Sequence, residues 1–329
     1  MTEAKMKAVV CREYGGPEVL EVKEVDKPVP EDHEVLIKIH ATVAAPADCA
    51  FRKGEPAMTK IFTGMKKPKH IPGSEISGVI EEVGKEVKLF KKGDEVYGST
   101  GTEFGSNAEY ITLYEGSALA LKPKNVTFGE AVAVSEGALT ALPFLRDKGK
   151  IKSGQRVLIN GAAGGVGSYA VQLAKYFGAE VTGVCSEANR ERVTALGADH
   201  VVDYKAEDFT KLEKKYDIIF DVVGKSSFSN AKPALKPYGI YLSTVPTPLL
   251  IQQTFWSSRF GNKRAVVSAT GLRSPHKKKL DLLFIKDLVE SGELKPVIDR
   301  EMLLEQIAEA HSYVETGHKK GSLVIKIAD

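Results

Sequence analysis

Val157-Leu158-Ile159-Asn160-Gly161-Ala162-Ala163-Gly164-Gly165-Val166-Gly167-Ser168 reads as a buried strand, a glycine turn and the opening of a helix. Beyond it, Val166, Tyr169, Ala170, Leu173, Ala174 and Phe177 fall on one face of that helix. Ala162-x-Gly164-x-x-Gly167 is the G-x-G-x-x-G fingerprint with alanine in its first place. Gly164 lets the backbone approach a pyrophosphate with no Cβ in the way, Gly167 lets the helix lie close on the strand, and N–H groups at the helix start bind the anion. Ala162, Ala163, Gly164, Gly165, Val166 and Gly167 are therefore expected to hold a dinucleotide. A kinase-type phosphate loop is disfavoured, because no Lys-Ser/Thr pair follows the last glycine.

Downstream of this loop, strands alternate with helices. Glu180–Cys185, His200–Asp203, Asp217–Asp221, Gly239–Ser243 and Ala265–Ala269 join Arg156–Asn160 as strands, a pattern that predicts a doubly wound parallel sheet. Upstream, Ala131–Leu145 is helix-compatible. Earlier still, Lys7–Val10, Val19–Glu24, Val35–Ala41, Ile76–Val83, Glu95–Tyr97 and Ala108–Leu113 are short strand-like runs with Gly, Pro, Asp and Asn between them. Helical periodicity is nearly absent there, so a small β barrel is expected. In the tail, Lys277–Ser291 and Leu303–Thr316 read as amphipathic helices, and Ser322–Ile327 alternates like an antiparallel strand. Such a strand has no place in a parallel sheet and is expected to return to the first domain. The reading is an α/β chain with a β-rich domain at 1–124, completed by 275–329, and a dinucleotide-binding domain at 125–274. The stretch 56–72 is long for a loop and is read as a lid or a disordered segment.

The 329 residues suit two domains, with 43% hydrophobic and 27% charged side chains. Forty-six basic against 43 acidic residues leave a net charge of +3, too weak and too evenly spread to draw nucleic acid or an anionic bilayer. No apolar run approaches the roughly 18 residues of a membrane span, and the start Met1–Lys7 is polar. Cys11, Cys49 and Cys185 show neither C-x-x-C nor metal-like spacing, which points to a reduced compartment and a cytoplasmic protein. His40, His70 and His311 stand alone, and each is expected to be a surface or satisfied histidine.

An acidic residue at the end of the second strand of such a fold would bind the ribose 2′-OH and repel a 2′-phosphate. Here Cys185 and Ser186 stand at that point, and Arg190 follows with a planar fork that suits phosphate. NADPH is thus favoured over NADH, although Glu187 weakens the local positive field.

Together the glycine loop, Pro72-Gly73-Ser74-Glu75-Ile76-Ser77-Gly78-Val79-Ile80-Glu81-Glu82-Val83-Gly84 and Lys92-Gly93-Asp94-Glu95-Val96-Tyr97-Gly98 resemble the medium-chain dehydrogenase/reductase superfamily. Within it, the chain resembles the zinc-free quinone oxidoreductase, zeta-crystallin-like branch. The resemblance runs from Tyr14-Gly15-Gly16-Pro17 to Gly321–Ile327. It implies a GroES-like catalytic domain, a Rossmann domain and a homodimer. It also implies roles for Ser186, Arg190 and Tyr204 at the 2′-phosphate, for Thr140 near the nicotinamide ribose, and for Val223 and Thr244 in loops along the cofactor. Where zinc alcohol dehydrogenases carry a ligand histidine and a ligand cysteine, this chain has Ser74 and Ala45, so no metal is expected. Two further positions depart from the branch. Ala45 stands where relatives often place an asparagine, and Ala50 where they often place a tyrosine.

Without a Lewis acid a plain ketone is poorly activated, so the expected acceptor is a quinone or an α,β-unsaturated carbonyl, whose π-system spreads the charge that hydride addition creates. Ser74 and Thr140 are the candidate donors to that charge. The alternatives are a secondary alcohol or aldehyde reductase, and a non-catalytic NADPH-binding protein of the crystallin or sensor kind.

Overall fold

The structure is a computed structural model and describes residues 4–327, so Met1 to Glu3 of the polar start lie outside the described residues. In chain order its main elements begin with β1 (Lys5–Cys11), β2 (Leu20–Asp26), β3 (Glu34–Ala44), α1 (Pro46–Lys53) and α2 (Lys60–Thr63). They continue with β4 (Glu75–Val83), β5 (Glu95–Ser99), β6 (Tyr110–Tyr114), β7 (Ala118–Leu121) and α3 (Phe128–Pro143). Next come β8 (Arg156–Asn160), α4 (Gly165–Tyr176), β9 (Glu180–Cys185), α5 (Arg190–Ala195) and β10 (His200–Asp203). After these stand β11 (Tyr216–Asp221), α6 (Phe228–Ala231), β12 (Leu235–Ser243), α7 (Pro248–Phe260) and β13 (Arg264–Val267). The chain closes with α8 (Pro275–Glu290), β14 (Ile298–Leu303), α9 (Ile307–Glu315) and β15 (Ser322–Lys326).

Contacts divide the chain into two units. The first comprises Met1–Glu136, Gly271–Gly292 and Pro296–Asp329, and the second comprises Gly137–Thr270 and Glu293–Lys295. In the first unit a sheet runs β14-β15-β3-β4-β5-β7, with β6 also on β3, and β1 pairs β2 separately. The long strand β3 organises this unit. Its first half carries Val35 and Ile37 opposite Leu113 and Ile111, and its last residues, Ala41–Ala44, meet Lys326–Leu323 of β15 antiparallel. Alternation along β3 turns Val35, Ile37 and Ile39 into a core with Ile76, Ile80, Val96 and Leu119, each fully buried and contributing about 1.5–3 kcal/mol of transfer energy.

Helix α1 corrects the expectation of a nearly helix-free first domain. Pro46 sits at its first turn and Gly54 ends it with φ +67°, yet its inward residues are Asp48, Cys49 and Arg52, so no apolar stripe marks it in the sequence. The stretch 56–72, read as a lid or as disordered, contains a short helical segment from Ala57 to Thr63. The helical stretch 128–148 is long and apolar enough to cross a membrane by length and composition, which corrects the expectation of no such run, but 78% of its most apolar window is buried inside the protein.

In the second unit six strands form one parallel sheet in the order β10-β9-β8-β11-β12-β13. Numbered from β8, this order is 3-2-1-4-5-6, and it reverses direction between β8 and β11. Both faces are covered. Leu158, Ile219 and Tyr241 pack on one side with Phe228 and Leu250.

Candidate functional site

Crevices at the carboxyl ends of strands, at the point where strand order reverses, are where open α/β sheets bind ligands. Strand pairing brings the predicted cofactor residues to that edge. Asn160 at the end of β8 is level with Val184 and Asp221, Asp203 is level with Cys185, and Asp221 is level with Ser243. The residues that follow these strand ends are the glycine loop, Ser186, Tyr204, Val223 and Thr244, so they line one rim.

Within the glycine loop the work is divided among three glycines. Gly161, not Ala162, makes the turn, at φ +88°. A Cβ on it would lie 2.3 Å from the Val223 side chain, which closes over the turn. Ala162 points its methyl toward Gly183 of β9 and is fully buried, and Ala163 is buried as well. A Cβ on Gly167 would lie 2.0 Å from the Gly161 carbonyl oxygen, so helix α4 rests directly on the turn. On Gly164 a Cβ would meet only that same oxygen, at 3.5 Å, leaving open space. Gly164 is also the N-cap of α4 and supplies no side-chain cap to the first-turn amides of Gly165, Val166 and Gly167. Open room in front of uncapped amides is the cradle a diphosphate requires.

Helix α3 approaches this loop through Gly137, whose added Cβ would lie 2.6 Å from the Gly165 carbonyl oxygen and 2.1 Å from the Tyr169 ring. Thr140, one turn further on, is on the same side of α3 and half-buried. Asp221 organises the opposite wall. Fully buried, its carboxylate accepts from Asn160 Nδ2 at 3.0 Å, from the amides of Val223, Gly224 and Ser226 at 3.1, 3.0 and 3.2 Å, and from the Tyr241 hydroxyl at 2.8 Å. Sequence reasoning placed Asp221 only at a strand end. Its role as the template of the loop shows in structure alone, since its partners are spread from residue 160 to 241.

At the second strand end, Asn189 Nδ2 donates to Ser186 Oγ at 3.0 Å. The exposed Tyr204 follows the strand paired beside it. Arg190 donates through Nε to both Glu187 carboxylate oxygens, at 2.7 and 2.9 Å, and through Nη1 to the Val201 carbonyl at 3.0 Å. The guanidinium is therefore anchored near the rim but shares its charge with Glu187.

Ser74 belongs to the first unit. Its hydroxyl donates to Glu75 Oε2 at 2.9 Å, and its carbonyl accepts from the Thr100 amide at 2.8 Å. Burial, aided by Asp48 and Glu136, raises the Glu75 carboxyl to about 8. Burial likewise raises Asp48 to about 7 against the Ala45 amide, which donates to it at 2.8 Å. Glu136 pairs with Lys319 at 2.9 Å with both side chains buried. Lys278 donates to the Gly271 carbonyl at 2.7 Å, and burial lowers its affinity for its proton. Lys278 acts on Glu75 and Lys319 on Asp48 and Glu136; both come from the tail, and neither stands out in the sequence.

His311 corrects the expectation of a surface or satisfied side chain. It is completely buried, Nδ1 lies 3.5 Å from Cys49 Sγ, and Nε2 has no partner. Burial lowers it to about 4 and pushes the Cys49 thiol up to about 12, so neither is charged at neutral pH. Ile307, Ala310, His311 and Val314 form the buried stripe of α9, a spacing visible in the sequence. Among the described residues no group of three His, Cys, Asp or Glu side chains is placed to hold a metal ion.

Comparison with known proteins follows the same division. Residues 31–144 match the alcohol dehydrogenase GroES-like domain, and residues 196–325 match a family described as zinc-binding dehydrogenase. A 2-methylene-furan-3-one reductase from Solanum lycopersicum is 36% identical over 98% of this chain and 79% of its own length. An NADPH-dependent alkenal/one oxidoreductase, chloroplastic, from Arabidopsis thaliana is 35% identical over the same shares, 98% and 79%. The structure of a quinone oxidoreductase from Coxiella burnetii superposes with a TM-score of 0.88 at 29% identity, covering 99% of this chain and 100% of that one.

Proposed function

The chain belongs to the medium-chain dehydrogenase/reductase superfamily, in its zinc-independent quinone/enone-oxidoreductase branch, and from that membership we infer that it reduces a quinone or an α,β-unsaturated carbonyl with NADPH. The observation that carries this reading is the glycine loop, where Gly167 brings α4 onto the turn and Gly164 leaves room before uncapped amides. When bound along this rim, NADPH would supply the hydride for the conjugated acceptor, with the balancing proton drawn from solvent.

The chain's own residues bind and orient. The amides of Gly165, Val166 and Gly167 hold the diphosphate, with Ala162 and Ala163 contributing backbone. Ser186, Arg190 and Tyr204 hold the 2′-phosphate, Thr140 the nicotinamide ribose, and Val223 and Thr244 the rim beside them. Ser74 and Thr140 are the donors to charge developing on the acceptor. Ser74 can serve only while Glu75 is protonated. A neutral Glu75 donates to Ser74 Oγ in place of accepting from it, and the serine proton is then free for the acceptor; burial favours that neutral form.

A cytoplasmic location is supported by three free thiols, all buried. For the homodimer the support is β13, an edge of the parallel sheet, and the exposed Ile251, Phe255 and Trp256 of the α7 helix packed beside it, a surface that a second copy would cover.

The decisive experiment incubates pure protein and NADPH with a panel of quinones and enones. Nicotinamide absorbance should fall faster than without protein for at least one acceptor. No acceleration with any of them refutes the function.

A further inference from the structure

Asp221 is the last residue of β11, and the two oxygens of its carboxylate serve different neighbours. Oδ1 accepts from the amides of Val223 and Gly224, two and three residues on, and from Asn160 Nδ2 of the adjacent strand β8. Oδ2 accepts from the Ser226 amide and from the Tyr241 hydroxyl of β12, on the other side. Tyr241 is level with Ile219, two residues before Asp221 and on the same face of the sheet, so its ring leads the hydroxyl to the end of β11. Five donors thus converge on one fully buried carboxylate, and three of them are amides of the loop 222–226.

The loop shaped by these bonds touches both the glycine turn and the end of β12. A Cβ on Gly161 would fall 2.3 Å from Val223 Cγ2, and a Cβ on Gly224, at φ +73°, would fall 2.7 Å from Val245 Cγ2. The Val222 amide donates to the Asn160 carbonyl at 3.1 Å, and the Thr244 amide to the Asp221 carbonyl at 3.3 Å. Any shift of the loop therefore moves Val223 off the turn and disturbs Val245. A doubly wound sheet holds a dinucleotide as two mononucleotide halves, one on each side of the point where strand order reverses. Ser186, Arg190 and Tyr204 follow β9 and β10, on the adenosine side. The loop 222–226 and Thr244 follow β11 and β12 across that point, and so border the nicotinamide half.

We propose that Asp221 is the positioning residue for the nicotinamide half of the coenzyme, fixing the loop 222–226 together with Tyr241 while taking no part in holding the adenosine half. The proposal deepens the reductase reading and rests on it. Asp221→Asn keeps one acceptor oxygen. If that oxygen faces Val223, Gly224 and Asn160, the new NH2 faces the Ser226 amide, donor against donor. Tyr241→Phe removes a single anchor and leaves the amides in place. A misplacement of about 1 Å costs about 10²-fold in rate, so kcat should fall roughly thirtyfold in Asp221→Asn and roughly threefold in Tyr241→Phe.

The test measures fragment binding, coenzyme emission and turnover on the full chain and both variants. Adenosine 2′,5′-bisphosphate, which lacks the nicotinamide, should bind wild type and variants alike in titration calorimetry. The fluorescence of bound NADPH should change in the variants, and kcat with a quinone or enone should fall with a larger primary isotope effect from NADPH deuterated at the transferred C4 position. A merely structural role would move the bisphosphate as well. Loss of bisphosphate affinity in parallel with NADPH, or unaltered fluorescence and kcat, overturns the proposal. Altered fluorescence with intact bisphosphate binding, in a protein that reduces no acceptor, supports the positioning role and counts against the reductase reading alone. Where circular dichroism shows Asp221→Asn unfolded, the same readouts on Tyr241→Phe decide.

Discussion

Replacing Gly167 and Gly164 separately by alanine should pull apart two roles that a glycine-rich loop usually blurs. At Gly167 the new methyl would sit 2.0 Å from the Gly161 carbonyl oxygen, 2.8 Å from its carbon and 3.0 Å from Ala162 Cα, all backbone atoms that cannot rotate away. Overpacking of this kind costs about 1–3 kcal/mol, and alanine regains about 0.5–1 kcal/mol of helix propensity. With backbone on the receiving side the upper end applies, and the net loss is about 2 kcal/mol. In a domain of this size that lowers the melting midpoint by several degrees, and NADPH binding falls with the displaced turn. At Gly164 the methyl meets one oxygen at 3.5 Å, an ordinary contact, and φ of −81° suits any residue. Stability should therefore stay within about 0.5 kcal/mol of wild type. The same methyl occupies the room before the α4 amides, so charge-assisted hydrogen bonds to the diphosphate are lost and affinity drops tenfold or more. Thermal melts and titration calorimetry with NADPH read both quantities on the same samples. A Gly164→Ala protein that binds NADPH like wild type refutes the cradle, and an unaltered melt for Gly167→Ala refutes the close approach of helix to turn.

Arg190→Ala should weaken NADPH roughly tenfold while changing NADH little, and Glu187→Gln should tighten NADPH a few-fold by releasing the guanidinium it now holds. Equal changes for the two nucleotides, measured by fluorescence titration, would remove Arg190 from the phosphate site. Glu75→Gln tests the buried carboxyl through pH. Because the folded state keeps this carboxyl protonated up to about 8 while the unfolded chain releases the proton near an ordinary carboxyl value, its contribution is complete below roughly pH 4.3 and is lost as pH rises toward 8. The variant should melt above wild type at pH 8 and closer to it at pH 5; an offset independent of pH would show that Glu75 does not titrate in this window. Sedimentation should give twice the chain mass, and Trp256→Glu on α7 should yield monomer; an unchanged dimer would place the interface elsewhere.

Local patterns carried most of the fold. The strand, glycine turn and helix around Gly164 form a continuous signal, and the parallel sheet could be read because β8, β9 and β11 at its centre are largely buried runs. Elements with weak local signals were missed. Ala118–Leu121 is four residues long, and the middle of Ile298–Leu303 is Asp-Arg-Glu, so neither alternates clearly. The α1 helix hides because its buried side is polar. Thr247 and Pro248 mark the start of α7, but five large apolar residues point to solvent from this helix and blur its periodicity. The polar cluster of the first unit could not be assembled from sequence, because Asp48, Glu75, Glu136, Lys278 and Lys319 come from segments far apart in the chain. By contrast, Glu187 beside Arg190 was visible at a spacing of three, and their ion pair matches it.

The pairing of Leu323–Lys326 with Ala41–Ala44 imposes an order on biosynthesis. The parallel sheet is a contiguous stretch and can condense as soon as it leaves the ribosome. The opening strands must wait, with the end of β3 lacking this partner, until Leu323–Lys326 emerge to fill the gap. A chain stopped a dozen residues short would keep its nucleotide-binding half and leave the other half unfinished, a natural client for chaperones.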